Sequence, residues 1–344
     1  MLRDKLRQPD FNNFIALLLG KPTSRPVLFD FIIGDKIMKY LVGEENFKVD
    51  TEFNRMITRI KAFDFAGYDF APILVRGLEF PRKEHNVTEV ETKSLNEGAM
   101  IVDWASYNDY RWPEITNCDF SIIAKAGKYL PEGMKFIPYS YDGILENAIG
   151  IVGYENLCLM IYDDYQLVCN VFKQIGTRIE AFYDNVLLYD EVGCILCNDD
   201  WGFNTQTMFS PDFLREHVFP YYRRIVEKAH RLGKYAILHS CGYYREIIDD
   251  IVYDMKFDGK HSFEDNIVPV EDAYRELSDK ITVLGGIDLN FIVSASSDEV
   301  YQRAKRMIEA SKLKGRFALG TGNSVPDFVP IENYIALMKA GLEL

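Results

Sequence analysis

Residues 192–242 read VGCILCNDDWGFNTQTMFSPDFLREHVFPYYRRIVEKAHRLGKYAILHSCG. Two short apolar runs, at 192–197 and 235–240, stand on either side of a long amphipathic stretch at 211–232. Short and continuously apolar runs are typical of strands buried on both faces of a parallel sheet. Parallel neighbours need a long crossover connection, which is most often a helix. This part of the chain therefore predicts a strand–helix–strand unit.

The residues at both ends of the amphipathic stretch are those that favour helix ends. Ser210 is placed to cap the first turn, and Pro211 follows at the first helical position, where its missing N–H is not needed. Gly233 stands where a residue that ends a helix belongs. Pro220 lies inside the stretch, and we expect it to kink or divide the helix.

The same alternation extends along the whole chain. Further helical patterns cover 297–313, which begins at Ser297, and 331–342. The short apolar runs are VLFDF (27–31), YDFAPI (68–73), KFIPYS (135–140), VGCILC (192–197), YAILHS (235–240), FDGKHSF (257–263), ITVLGG (281–286) and RFALGT (316–321). Eight strands with helices between them predict a (β/α)8 TIM barrel that occupies residues 1–344 as a single domain. A doubly wound open sheet is the alternative that a strand count leaves open.

One segment, residues 80–115, does not follow the alternation. It contains ETKSLNEGAMIVDW (91–104), which reads as a β-hairpin. We therefore expect an insertion after the second strand of the barrel.

Composition and charge exclude several classes of protein. The chain has 344 residues, a net charge of −13 and an isoelectric point of about 5.0, which is unsuited to the phosphates of nucleic acid. The six cysteines are not accompanied by an apolar leader segment, so we expect reduced thiols in the cytoplasm. The longest apolar stretch, 144–161, is interrupted by carboxylates and amides, and we do not expect it to span a membrane.

Polar side chains follow most of the predicted strands at their carboxyl ends, where barrel enzymes carry their chemistry. Any one of them could be a turn or capping residue, because Asp, Asn and Ser favour such places for local reasons. A ring of them is harder to explain in that way. These residues are Asp30, Tyr139, Asn198, Asp199, Asp200, Trp201, His239, Cys241, His261, Glu264, Asp288, Thr321, Gly322 and Asn323.

His239 and Cys241 form the most specific pair in this ring. Residues i and i+2 of a strand share a face, so both side chains point into the same end of the barrel. An imidazole and a thiolate suit zinc, but a nucleophile with its base and ordinary packing remain open. Cys194 and Cys197 are three apart in a predicted buried strand and face opposite sides, so we interpret them as packing residues.

Several of these segments resemble the uroporphyrinogen decarboxylase family, together with the corrinoid-dependent methyltransferases that share its fold. They are NDDWGFNTQTMFSPDFLREHVFPYYRRIV, ILHSCG, LGGID and LGTGNSVPDFVPIENYIALM, with a weaker match in KAFDFAGYDFAPI. The resemblance implies a (β/α)8 barrel, in agreement with the strand count. Decarboxylases of the family carry an arginine-rich segment after the first strand, where FDFIIGDKIMKY (29–40) has no arginine. The methyltransferase branch is therefore the better match.

The methyltransferase branch implies a zinc ion held by the His and Cys of the HxC motif, here His239 and Cys241, and by a second cysteine after the last strand. Asn323 occupies that third position, and amides are weak zinc ligands. Glu264 follows the neighbouring strand and is the carboxylate that we expect as third ligand. The resemblance also implies a cobalamin that is presented by a partner corrinoid protein, and a homodimer is left open.

The sequence hypothesis is thus a methyltransferase that moves a methyl group between a small methylated O-, N- or S-compound, or a thiol, and a partner's cobalamin. Catalytic acids are expected among Asp199, Asp200 and Asp288. Substrate-binding residues are expected to be Asp30, Tyr139, Trp201, Phe203, Tyr243 and Asn323, with Tyr244 completing the pocket wall. One alternative is a metal-free carboxy-lyase for a small acid with Asp30, Asp199 or Asp288 as its acid–base group. Another is a non-catalytic barrel that binds a small ligand or a corrinoid protein.

Overall fold

The computed structural model describes residues 7–83, 95–96 and 98–343, and within them the eight predicted strands are all present. Each predicted apolar run contains one strand or most of it. The strands are β1 (Val27–Leu28), β2 (Phe70–Leu74), β3 (Lys135–Tyr139), β4 (Cys194–Asn198), β5 (Tyr235–His239), β6 (Gly259–His261), β7 (Thr282–Leu284) and β8 (Phe317–Leu319).

The strands form one parallel sheet in the order β1-β8-β7-β6-β5-β4-β3-β2. Strands that are consecutive in the chain are neighbours, and β1 pairs with β8, so the sheet curls round on itself as in a TIM barrel. This order confirms the barrel and excludes the doubly wound alternative, in which the strand order reverses. Among the described residues no ladder joins β1 to β2, which leaves a seam there.

Helices follow or connect the strands and cover the outside of the sheet. The helices of the described residues are α1 (Phe11–Leu18), α2 (Asp35–Val42), α3 (Glu52–Ala66), α4 (Trp104–Asp109), α5 (Ser121–Gly127), α6 (Ile144–Val152), α7 (Tyr154–Asp163), α8 (Tyr165–Val186), α9 (Pro211–His217), α10 (Phe219–Arg231), α11 (Val270–Leu277), α12 (Leu289–Ser294), α13 (Ser297–Ser311) and α14 (Ile331–Leu342). Shorter helical turns lie at Glu44–Asn46, Ile115–Asn117, Arg245–Ile247 and Asp250–Asp254.

The helix between β4 and β5 is built as its sequence predicts. The Ser210 hydroxyl accepts a hydrogen bond from the Phe213 N–H, which makes it the N-cap of α9. The helix is divided at Val218, two residues before Pro220, because proline cannot donate to the preceding turn. Gly233 follows α10 with φ of +69°, which a residue with a side chain rarely adopts. Helix α13 also begins as predicted, but its N-cap is Ser296.

Aromatic rings fill the lower part of the barrel. Phe14, on α1, contacts Phe70 with ring centroids 5.4 Å apart, and Phe29 and Phe70 are also 5.4 Å apart. The ring of His261 lies on the other side of Phe29, at 5.1 Å. Helix α1 therefore closes the amino end of the barrel with an apolar plug, and the polar layer begins directly above it.

The insertion after β2 is described only in part. Its described residues include α4 and the turn at Ile115–Asn117, while residues 84–94 and 97 lie outside the described part of the chain. The predicted hairpin at 91–104 lies partly on those residues and stays a prediction. In the described ranges no single helix has the length and apolarity to cross a bilayer, although α6 and α7 pass that test as a pair bent by 90°.

Candidate metal centre and active site

Three side chains with metal-binding atoms meet at the carboxyl ends of β4 and β5. The imidazole of His239, the thiol of Cys241 and the carboxylate of Asp200 place one ligand atom each within 4.8 Å of one another. The ladder sets Asn198 opposite His239, so Asp200 and Cys241, each two residues further on, leave their strands on the same face. The predicted pairing of His239 with Cys241 is therefore present, and Asp200 joins them.

The spacing of these atoms fits a zinc ion. His239 Nε2 lies 3.6 Å from Cys241 Sγ. Zinc–nitrogen and zinc–sulfur bonds at a tetrahedral angle would place these two atoms about 3.5 Å apart. Asp200 Oδ1 accepts the backbone N–H of Cys241 at 2.7 Å, which fixes this carboxylate beside the thiol. The site has a borderline-soft donor set of nitrogen, sulfur and carboxylate oxygen, which zinc prefers.

His239 is held in its neutral form by its surroundings. Burial, aided by the Lys260 cation, lowers its pKa to about 3. Its Nδ1 atom lies 2.8 Å from Nδ1 of His261, whose Nε2 atom is 3.0 Å from the carbonyl oxygen of Thr321. A neutral imidazole is the form that binds metals.

Cys241 lies where a thiolate is unfavourable unless a cation is present. Burial raises the pKa of its thiol well above the usual value, and the Asp200 carboxylate raises it further. A catalytic Cys–His pair needs the opposite, a thiol with a lowered pKa beside a basic imidazole. The pair therefore fits a metal site better than a nucleophile with its base.

Asn323 contacts the cysteine as a hydrogen-bond donor. Its Oδ1 atom accepts the Ser324 N–H at 2.7 Å, which turns the Nδ2 group toward Cys241 Sγ at 3.3 Å. An N–H group aimed at sulfur stabilises negative charge there and is not a metal ligand. Asn323, which we expected to bind substrate, thus lies beside the site and donates to one of the candidate ligands.

Glu264, which we expected to be the third ligand, is not in this group of three. It accepts the Gly242 N–H, and burial raises its pKa, as do Asp200 and Asp288. Glu264 lies in the loop three residues beyond the end of β6, where the period of a strand no longer sets the direction of a side chain. The carboxylate of the group is provided by Asp200, which the sequence hypothesis had as a catalytic acid.

Asp199 points away from Asp200 and holds helix α6. Its carboxylate accepts the backbone N–H groups of Leu145 and Glu146, each at 3.0 Å, and the Tyr222 hydroxyl at 3.1 Å. Burial raises its pKa to about 7. The predicted catalytic acid thus occupies a helix-capping position.

Asp30 and Asp288 are engaged in similar ways. Asp30 is fully buried and accepts the N–H and the hydroxyl of Thr321 and the Tyr68 hydroxyl, while burial raises its pKa to about 6. Asp288 caps α12 through the Phe291 N–H at 2.8 Å and accepts the Asp265 N–H at 3.0 Å. Both carboxylates tie loops to the barrel.

The predicted aromatic wall is divided between the mouth and the core. Tyr139 and His239 both pack against Phe31, with ring centroids 4.8 Å away in each case. Phe203 and Tyr243 are partly exposed in the loops after β4 and β5. Trp201 is fully buried against Phe219 and Tyr222 of α10, behind the strand ends, and not at the mouth where we expected it to bind substrate. Tyr244, the fourth ring of the expected wall, is also buried.

The loops that carry Asp200 and Cys241 contact each other directly. Gly242 has φ of +83°, and a Cβ atom there would overlap the carbonyl oxygen of Gly202. The Tyr243 N–H donates to the Phe203 carbonyl at 2.7 Å. The two loops are therefore joined backbone to backbone beside the metal-binding group.

Sequence reasoning missed Lys260, whose side chain is completely buried. Its ammonium group donates to the carbonyls of Ser240 at 3.2 Å and Ser262 at 2.9 Å, and burial lowers its pKa to about 8. The rings of Tyr244 and Phe263 lie 4.6 and 4.5 Å from it. A lysine inside the apolar run FDGKHSF was the available signal, because a lysine in a buried strand needs such partners.

Comparison with known proteins fits this geometry. The family model for uroporphyrinogen decarboxylase (URO-D) matches residues 143–343, which is more than half of the chain. The chain belongs to the URO-D family. No curated protein matches the sequence. Among solved structures, this URO-D family member is similar to a methyltransferase from Methanosarcina mazei, with a TM-score of 0.70, 16% identity, and coverage of 96% of this chain and 97% of that one.

A second solved structure is much less similar to this URO-D family member. A rutinosidase from Aspergillus niger has a TM-score of 0.43 and 10% identity, over 92% of this chain and 97% of that one. At 16% identity the similarity to the M. mazei protein shows the fold alone, and the chemistry has to be argued from the side chains.

Proposed function

We propose that this URO-D family protein is a methyltransferase of a corrinoid-dependent system, with a zinc site formed by Asp200, His239 and Cys241. The proposal depends chiefly on one observation, the convergence of these three ligand atoms within 4.8 Å at the carboxyl end of the barrel. The barrel's similarity to a methyltransferase from M. mazei supports it. The absence of arginine in residues 29–40 disfavours a polycarboxylate substrate.

Each residue of the site has a distinct part in this function. His239 provides a neutral imidazole, Cys241 a thiolate, and Asp200 a carboxylate that the Cys241 N–H already orients. The Asn323 amide donates to the sulfur and reduces its basicity. A zinc ion at this position would polarise the heteroatom that bears the methyl group, or bind a thiol acceptor. With three protein ligands, one position is left for substrate.

The mouth of the barrel favours a small substrate with an apolar part. Phe31 and Tyr139 form one side near His239, and Phe203 and Tyr243 lie in the joined loops on the other. The methyl group would be exchanged with cobalamin carried by a partner corrinoid protein. Asp199 and Asp288 would act through the helices they cap, and we do not assign them a proton transfer.

The carboxy-lyase alternative receives less support from the site. It requires an acid–base group among Asp30, Asp199 and Asp288. Each of these carboxylates already accepts at least two hydrogen bonds from the protein itself. None of the three belongs to the group formed by Asp200, His239 and Cys241.

Metal content tests the proposal. Protein purified without chelator should contain near-stoichiometric zinc, which Cys241→Ala and Asp200→Asn should lose. Glu264→Gln is the matched control and should retain the metal, because this carboxylate lies outside the group. The site assignment is wrong if the wild type binds no metal, or if only Glu264→Gln loses it. Methyl transfer to free cob(I)alamin from methyl ethers, methylamines and methyl thioethers then tests the reaction and separates it from decarboxylation.

A further inference from the structure

His261 has no part in the group of three ligands, yet it contacts one of them directly. It is the last residue of β6 and lies opposite His239 in the ladder between β5 and β6. Its side chain is completely buried. Its Nδ1 atom is 2.8 Å from Nδ1 of His239, and its Nε2 atom is 3.0 Å from the Thr321 carbonyl oxygen. A line of hydrogen bonds thus runs from the backbone of the loop after β8 to the candidate metal ligand.

The position of each proton in this line follows from its fixed end. A carbonyl oxygen can only accept, so the proton in the bond to Thr321 is on Nε2 of His261. A neutral imidazole has a single N–H, so Nδ1 of His261 is an acceptor. The bond between the two Nδ1 atoms then takes its proton from His239. The remaining nitrogen of His239, Nε2, carries a lone pair and lies 3.6 Å from Cys241 Sγ.

The reverse arrangement is unfavourable. It would need protons on both nitrogens of His261, which makes that ring a cation. The ring is buried next in sequence to the Lys260 ammonium, and its two hydrogen-bond partners are an imidazole and a carbonyl. A buried charge without a carboxylate partner is unfavourable, because nothing in the site compensates for the loss of its hydration.

We propose that His261 is a positioning residue that fixes the tautomer of His239, so that the imidazole presents an unprotonated Nε2 to a metal ion. Without this partner, the ring would be free to carry its proton on Nε2, as imidazoles in water mostly do. The metal part of this inference depends on the proposed function, whereas the tautomer itself does not.

Ring-nitrogen NMR of the metal-free protein, labelled with ¹⁵N-histidine, tests the tautomer. In the wild type we expect His239 to carry its proton on Nδ1. His261→Phe keeps a ring of similar size but removes the acceptor, and His239 should then move toward the Nε2–H form. His261→Asn restores an acceptor and a donor and should return the wild-type tautomer. The proposal is overturned if wild-type His239 is protonated on Nε2, or if His261→Phe leaves the Nδ1–H form unchanged.

Zinc affinity, measured by competition with a chelator, gives a second readout. His261→Phe should bind zinc about 10–100-fold more weakly, the usual effect of losing a group that orients a metal-binding histidine. His261→Asn should recover much of this loss. If wild-type protein binds no zinc while the NMR result holds, the proposed function fails and the positioning role of His261 stands. Should His261→Phe not fold, the wild-type spectrum and His261→Asn still decide the question.

Discussion

At the scale of single residues, adjacent carboxylates have opposite tasks. Asp199 and Asp200 are neighbours in the chain, but one accepts helix N–H groups behind the sheet and the other faces Cys241. Strand alternation separates them, since consecutive side chains at a strand end point to opposite sides. Sequence alone shows the pair, and only the β4–β5 register shows which member belongs to the site.

The buried imidazoles predict how metal-free protein responds to acid. His239 has a pKa of about 3 in the folded state, against an ordinary value of about 6.5. Between these two pH values the unfolded chain binds a proton at His239 and the folded protein does not. The free energy of unfolding is therefore unaffected by this group above pH 6.5 and falls as the pH decreases below it. Each such imidazole should lower the free energy of unfolding by about 1.4 kcal/mol for each pH unit in this range.

Urea unfolding in the presence of a chelator, at pH 7 and pH 5, measures this effect. The wild type should lose stability between the two values. Below pH 6.5, the free energy of unfolding of His239→Gln should fall by about 1.4 kcal/mol per pH unit less than that of the wild type. The substitution removes one group that binds a proton only when the chain unfolds. An equal loss in both proteins would show that His239 is not buried in a neutral form.

At the scale of elements, one carboxylate at the end of β4 binds the first turn of helix α6. Asp199 accepts two N–H groups from its first turn, and the Tyr222 hydroxyl of α10 binds the same carboxylate. One side chain at the end of β4 therefore links two helices to the sheet. Its position next to Asp200 means that the attachment of α6 and the geometry of the metal-binding group depend on the same turn.

Replacement of Asp199 should therefore destabilise the fold more than loss of an ordinary cap. Asp199→Ala leaves buried donors without an acceptor and should lower the free energy of unfolding by about 2–4 kcal/mol. Ser296→Ala, which removes the exposed N-cap of α13, is the matched control and should cost about 1 kcal/mol. Chemical denaturation of both variants checks the difference, and equal costs would contradict the linking role.

The elements were also the part that the sequence predicts best. Apolar runs and helix-end residues such as Ser210 and Gly233 are local signals, and the strand count follows from them. The pairing of His239 with Cys241 is local too, because it needs only the period of a strand. The choice of Asp200 over Glu264 and the buried partners His261 and Lys260 depend on contacts between strands, which no single segment encodes.

At the scale of the whole molecule, the barrel is unevenly closed. Strand β5 has a neighbour on each side, whereas β2 pairs only with β3 and β1 only with β8 among the described residues. Strands with fewer partners open at a lower free energy. The seam between β1 and β2 lies across the sheet from β5, so the strand that carries His239 belongs to the most completely paired part of the barrel.

Amide hydrogen exchange should reproduce this pattern. We expect the slowest exchange in β4 and β5, and faster exchange in β2, whose other edge has no ladder partner among the described residues. Mass spectrometry of peptides covering each strand measures the difference. Uniform protection of all eight strands would show that the seam is closed in solution.

The contact between Gly202 and Gly242 joins the loops after β4 and β5 at a point where neither can gain a side chain. These loops cannot be exchanged one at a time when a new specificity is grafted onto this scaffold. A transplanted loop after β4 would meet a neighbour that was shaped for another backbone. Protein engineers, and natural recombination before them, would have to treat the two loops as a single module inherited together.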